Sequence, residues 1–233
     1  MTPVDFANLK ILVGGSDSRL VGTKSYQPPT QYDFPTPLDA VRHLAENADH
    51  ENQIRSAFEE LLKPHSTVKK WKTQRENLPA TPHFAKYRHN KHYDKYHAAA
   101  RACASGSAST EEQSLVSGLS QEIKNSKVSV PAGQILFHGC ANSSLSSSLP
   151  YPTFISTTLI PTVAYYHAKK RGIQTNTKPI VYILTAIEDL KAIWGNSGNL
   201  VEWELLLDRG LTCKFIRSFS QQHFDIIEAS ISN

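Results

Sequence analysis

The stretch Asn199-Leu200-Val201-Glu202-Trp203-Glu204-Leu205-Leu206-Leu207 decides how the chain is read. Two carboxylates two positions apart open an apolar run, the pattern of a half-buried β-strand. In a strand, residues i and i+2 share a face. Glu202 and Glu204 therefore point to one side, and Val201, Trp203 and Leu205 to the other. Two like charges on one strand face repel, which raises the pKa of at least one of them. A solvated strand edge accommodates such a pair without any function, so its meaning depends on what the rest of the chain brings to it.

The 233 residues are 39% hydrophobic and 20% charged. That suits one large domain, or a small domain with an appended lobe, around a real core. No apolar run approaches the roughly 18–20 residues that cross a bilayer. The opening Met1-Thr2-Pro3-Val4-Asp5-Phe6 has no basic segment followed by an apolar one, so no Sec-type signal peptide is expected. A soluble protein, with export open to a dedicated secretion machine, fits this start. Cys103, Cys140 and Cys213 are odd in number and far apart, which favours free thiols in a reducing compartment over a disulfide framework or a zinc site.

The formal charge of +4 is uneven. Between Pro64 and Arg101, nine Lys and Arg face only Glu76 and Asp94, a local excess of +7 that leaves the remainder acidic. Trp71, Phe84, Tyr87, Tyr93 and Tyr96 interleave with these cations. Such a segment reads as a solvated helical face with half-buried aromatics, as a surface for an acidic protein, or as a nucleic-acid platform. His83, His89, His92 and His97 crowd the same segment without metal-ligand spacing, so no metal is expected.

The first half otherwise reads as helical. Phe6–Val13 is a short strand candidate, followed by a glycine-rich loop. Gly22-Thr23-Lys24-Ser25 there fails the phosphate-loop spacing, which needs Gly and Lys adjacent. Pro28 to Pro37 is an extended link. Thr36, Pro37 and Asp39 then supply an N-cap, a first-turn proline and a first-turn acid. Helical spacing runs from Leu38 to Leu62, with a break near Asp49 and a stop at Pro64. Thr110-Glu111-Glu112-Gln113 reads as a capping box opening a helix with Leu115, Val116, Leu119 and Ile123 on one face. Past Lys127, short β-rich runs take over: 134–137, 179–185, 201–207, 212–218 and 223–231. One helix intervenes, from Pro161 to about Lys170. The expected class is α+β, with a helical N-terminal lobe over 1–105 and a β-rich core over 106–233.

Three stretches of the second half belong together. In Ile135-Leu136-Phe137-His138-Gly139 an apolar strand ends in a histidine, and the glycine after it allows close approach to the backbone. Phe154-Ile155-Ser156-Thr157-Thr158-Leu159 sets three hydroxyls before a proline-started helix, where they can cap the helix or hold a carboxylate. The third is Glu202-Trp203-Glu204, preceded by the flexible loop Gly195-Asn196-Ser197-Gly198-Asn199.

In this order and at these intervals the three stretches resemble the conserved regions of the ADP-ribosyltransferase toxin family: a strand-end Arg or His, an aromatic-x-Ser-Thr-Ser stretch, and a Glu-x-Glu opening a late strand. The resemblance covers about Gln134 to Ile231. It implies an ADP-ribosyltransferase-like split β-sandwich and NAD as substrate, with no metal. By the same resemblance, Glu204 is the catalytic acid for the 2′-hydroxyl of the nicotinamide ribose. Ser156 orients it, and Glu202 faces the acceptor. His138, Gly139, Phe154, Thr157, Thr158 and His167 form the cofactor-binding set. The chain mixes branches of the family: His138 stands where the Arg-type branch carries Arg, two acids accompany it, and His167 stands where a stacking Phe is common.

The expected function is NAD-dependent mono-ADP-ribosyl transfer by a monomer to a macromolecule, with a protein arginine favoured by Glu202-x-Glu204 and the basic segment 64–101 choosing the target. A bacterial effector or toxin delivered into another cell, or a phage-encoded modifier, suits such a chain. Transfer to nucleic acid, and an inactive binding module of the same fold, are the alternatives.

Overall fold

A computed structural model of the chain describes residues 36–46, 82–88, 90–126, 128–141, 150–159, 161–194 and 204–233. The expected strand Phe6–Val13, the glycine-rich loop, the proline link, the helical run past Glu46, residues 64–81 of the basic segment, the loop 195–199, and Glu202 with Trp203 lie outside the described residues.

Local capping chemistry sets the helix starts. Helix α1 (Pro37–Glu46) opens where the sequence places it, with the Asp39 N–H donating to Thr36 Oγ1 at 3.2 Å. Helices α2 (Pro82–Tyr87), α3 (Asn90–Ser105) and α4 (Thr110–Lys124) follow. The capping box of α4 sits one residue earlier than the sequence suggests. Ser109 is the N-cap, its Oγ accepting from Glu112 N–H at 3.3 Å while the Glu112 carboxylate accepts Ser109 N–H at 2.8 Å. A charged Glu at the third position also gains from the helix dipole, which a Gln does not, and this decides the register. Helix α5 (Pro161–Thr175) outruns the expected stop near Lys170. It closes at Asn176, whose φ is 51°, with Thr177 N–H donating to Gly172 O at 3.0 Å. The extra turn carries Arg171 and Gln174.

The strands are β1 (Ser129–Val130), β2 (Ile135–Cys140), β3 (Ile155–Thr158), β4 (Ile180–Ala186), β5 (Leu190–Trp194), β6 (Glu204–Leu207), β7 (Thr212–Ser220) and β8 (Asp225–Ser232). Their order is β1-β5-β6-β3-β2-β4-β8-β7, antiparallel apart from the parallel β4–β8 pair. Strands β1, β3 and β5 are short and carry no strand signal in the sequence, where β3 reads as a hydroxyl-rich approach to a helix.

The sheet splits at its centre. β2 matches β4 along its whole length, and β3 matches β6 along its whole length, but β2 and β3 share only the pair Phe137–Thr158. Period-2 alternation then sorts the β5-β6-β3 half between two cores. Ile155, Leu205, Leu207 and Ala192 face the main core, with β2, β4, β8, α1 and α5. Phe154, Leu206 and Ile193 face the other way, into a second cluster with Phe84, Tyr87, Tyr96, Leu119 and Ile123 of α2–α4. The fold is thus α+β, a split β-sandwich with a helical layer on one half.

The boundary expected at residue 105 falls between α3 and α4, which share this second cluster. Leu38 and Val41 of α1 belong to the main core. Helical and β-rich parts are therefore packed together across the expected division.

Gly139 has a packing reason. A Cβ there would collide with the backbone carbonyl of Ala164, so α5 lies directly on β2. Gly139→Ala is expected to lower stability by about 1–3 kcal/mol in urea denaturation, by forcing helix and strand apart.

Candidate functional site

The β3–β6 register sets the site. Ser156 pairs with Leu206 and Thr158 with Glu204. Ser156 and Glu204 are thus diagonal neighbours on one face, and Ser156 Oγ donates to Glu204 Oε1 at 2.6 Å. That face is the one turned toward α2–α4, since Glu204 shares it with Leu206.

His138 bridges the split. Its Nδ1 lies 2.7 Å from the Ser156 carbonyl oxygen. A carbonyl has no proton to give, so Nδ1–H donates and replaces a ladder bond that the splayed strands do not make. Burial holds the His138 pKa below its ordinary value, against the raising effect of that bond. The ring is therefore a neutral clamp between β2 and β3.

Helices close the other walls of a cleft of about 610 Å³. From α2 and α3 come Tyr87, Arg88, Tyr93 and Asp94; from α5 come Tyr166, His167, Lys170, Arg171 and Gln174. Arg88 Nε lies 3.6 Å from Glu204 Oε2, with both side chains largely buried. Arg171 pairs with Asp94 at 3.5 Å and sits 5.7 Å from the centre of the Tyr93 ring. Tyr87 is pushed well above its ordinary pKa by burial, with Tyr93 and Glu204 adding to the effect, and burial likewise raises Tyr93. Both stay neutral phenols. Tyr87 Oη lies 3.2 Å from His97 Nε2. Burial, then Arg101, His138 and Arg171, push the His97 pKa down to about 4, with Asp94 opposing.

Glu204, Ser156, His138, Gly139, Thr157, Thr158 and His167 all line this one cleft. They do so unequally. Thr157 points away from Ser156, and its hydroxyl is committed to the Leu205 carbonyl at 2.7 Å. His167 is exposed, its ring edge-on to Tyr166 at 5.5 Å. Phe154 is not a cleft residue. It shares the face of Ser156 two residues earlier, beyond the cleft floor, and is 1% exposed in the second cluster, edge-on to Tyr87 at 6.4 Å. Glu202 lies outside the described residues.

Arg88, Tyr87, Tyr93, Lys170 and Arg171 join the site without a sequence signal of their own. The first three stand inside the basic aromatic segment, but nothing in one-dimensional spacing tells which member of such a segment turns toward a distant strand. The aromatics of that segment go largely inward. Burying Phe84, Tyr87 and Tyr96 is worth on the order of 5–9 kcal/mol, more than the ~1–3 kcal/mol from one stacked base. All three cysteines are free, and no described helix is long and apolar enough to cross a membrane.

The split sandwich with its helical layer is an ADP-ribosyltransferase fold, by its likeness to solved structures. Among solved structures, the ADP-ribosyltransferase Vis, a toxin from Vibrio splendidus determined with an inhibitor, matches at TM-score 0.55 and 14% identity, covering 85% of this chain and 91% of that one. The C3 exoenzyme of Clostridium limosum matches at TM-score 0.52 and 15% identity, covering 71% and 93%. A third match, from S. aureus and determined with NAD, has TM-score 0.52 and 16% identity, covering 71% and 94%. No family model matches the sequence, and no curated protein matches it.

His97 makes stability depend on pH. Its folded pKa lies below that of the unfolded chain, so protons favour unfolding. The stability held by neutral His97 is present above pH ~6.5 and is lost as pH falls toward about 4. Urea titrations across this window are expected to show falling stability in the wild type and a shallower fall in His97→Gln. Equal slopes would contradict the assignment.

Proposed function

We propose that the protein transfers ADP-ribose from NAD to a macromolecular target, a protein side chain in preference to nucleic acid, with arginine favoured by Glu202-x-Glu204. The observation that carries this reading is Ser156 Oγ at 2.6 Å from Glu204 Oε1 in a cleft that also holds Arg88, Lys170 and Arg171. The ADP-ribosyltransferase fold supports it, as does the NAD in the similar S. aureus structure.

The cleft suits a dinucleotide. Cations on α5 and at the end of α2 answer a diphosphate, and His138, Gly139, Thr158 and His167 line the space where strand ends meet α5. Breaking the nicotinamide–ribose bond sends the bonding pair to nicotinamide and leaves positive charge on the sugar. Glu204, fixed by Ser156, accepts from the ribose 2′-hydroxyl and stabilises that charge as it develops. The target nucleophile forms the new bond to the same sugar carbon. Glu202 takes its proton, or holds a guanidinium by charge pairing.

Transfer to nucleic acid draws on the same basic segment, but the burial of Phe84, Tyr87 and Tyr96 removes stacking platforms and favours a protein target. The basic segment 64–101 would then recognise an acidic surface on that target. A monomeric effector or toxin acting in another cell's cytoplasm, or a phage-encoded modifier, is the setting that suits this activity.

Labelled NAD incubated with a cell lysate tests the reading. Glu204→Gln is expected to lower both transfer and NAD hydrolysis by at least about a hundredfold. Wild type matching Glu204→Gln, with neither activity, would instead indicate an inactive binding module. Glu202→Gln is expected to lose transfer while sparing NAD hydrolysis; equal loss of both would contradict the division of roles.

A further inference from the structure

We propose that Arg88 is a positioning residue that holds the Glu204 carboxylate in the substrate-free protein and passes from it to the phosphates of the incoming dinucleotide, so that substrate binding itself frees the acid. The proposal rests on the functional reading above.

The charges around the seam are placed unequally. His138 supplies none, because its ring is neutral and its Nδ1–H is committed to the Ser156 carbonyl. Arg171 is engaged by Asp94 at 3.5 Å and by the Tyr93 ring. Arg88 lies on Glu204 itself. It sits immediately after α2, whose Phe84 and Tyr87 are anchored in the second cluster, and its guanidinium carbon lies 5.9 Å from the Phe84 ring centre. The base of the side chain is thus fixed while the tip reaches into the cleft.

The contact is built to be exchanged. At 3.6 Å the Nε–Oε2 pair is longer than the roughly 2.7–2.9 Å of a tight charge-assisted hydrogen bond. A diphosphate carries more negative charge than one carboxylate and offers oxygens for both arms of the guanidinium fork. Exchange is also needed for the chemistry. A cation beside Glu204 opposes the positive charge that the carboxylate must stabilise on the sugar. Arg88 left on Glu204 is a brake, whereas Arg88 on phosphate binds the substrate and releases the brake in one movement. No covalent step is involved.

The test is a double-mutant cycle on NAD binding, measured by calorimetry with the full chain. The proteins are the wild type, Arg88→Gln, Glu204→Gln and the double variant, with nicotinamide alone as a probe lacking phosphate. Arg88→Gln is expected to weaken NAD binding about tenfold and leave nicotinamide binding unchanged. Glu204→Gln is expected to tighten NAD binding several-fold when Arg88 is present and not when Arg88 is absent. Arg88→Lys, which keeps the charge and loses the fork, should fall between wild type and Arg88→Gln, and guards against a folding defect in the neutral variant. Additive substitutions, or an Arg88→Gln variant that binds NAD as well as wild type, would overturn the proposal while leaving the functional reading intact. A wild type that binds no NAD would overturn both.

Discussion

The pairing of β3 with β6 is the constraint on which the site depends. These two four-residue strands are held between two cores, and alternation leaves no freedom in how their side chains are shared out. Ile155, Leu205 and Leu207 must face the main core, so Ser156 and Glu204 must face the helices. A slip of one residue would bury Glu204 in the main core together with Leu206 and turn Leu205 toward the cleft. The apolar residues on either side of the polar pair thus fix its direction more firmly than the hydrogen bond between Ser156 and Glu204 does.

The seam next to this pair follows from the same geometry. β2 is tied along its length to β4, and β3 to β6, and the two halves meet at Phe137 and Thr158. Separation of the strands beyond that point opens room for a ligand and orphans backbone groups, which in a buried place require partners. His138 meets the Ser156 carbonyl and carries no charge in doing so. Its role is to brace the open edge of the cleft, and positive charge reaches the cleft from helices on two sides, through Arg88, Lys170 and Arg171.

The helical layer acquires its meaning here. Of the readings its basic, aromatic sequence allows, the described aromatics follow the one with rings turned to the core: Phe84, Tyr87 and Tyr96 pack against Phe154, Ile193 and Leu206. That packing brings Tyr87, Arg88 and Tyr93 over Glu204. One segment therefore serves as core, as cleft wall and, at exposed Lys86, Lys95 and Arg101, as solvent-facing charge.

Much of this is legible in one dimension because it is local or strictly periodic. The starts of α1 and α5, the longer strands, and the order of the three candidate stretches follow from caps, alternation and spacing along the chain. Strands as short as β1, β3 and β5 carry too few residues for a periodic signal, and Phe154 reads as a pocket residue in the sequence because its burial is settled by helices distant along the chain. Gly139 and Arg88 mark the division most clearly. That a glycine and an arginine stand at these positions is plain from the chain alone; that the Ala164 carbonyl occupies the space above the one and the Glu204 carboxylate lies within reach of the other follows from the packing of α5 on β2 and of α2 over β6. Both facts arise where elements distant in sequence are pressed together by burial, and such proximity leaves no trace in local spacing.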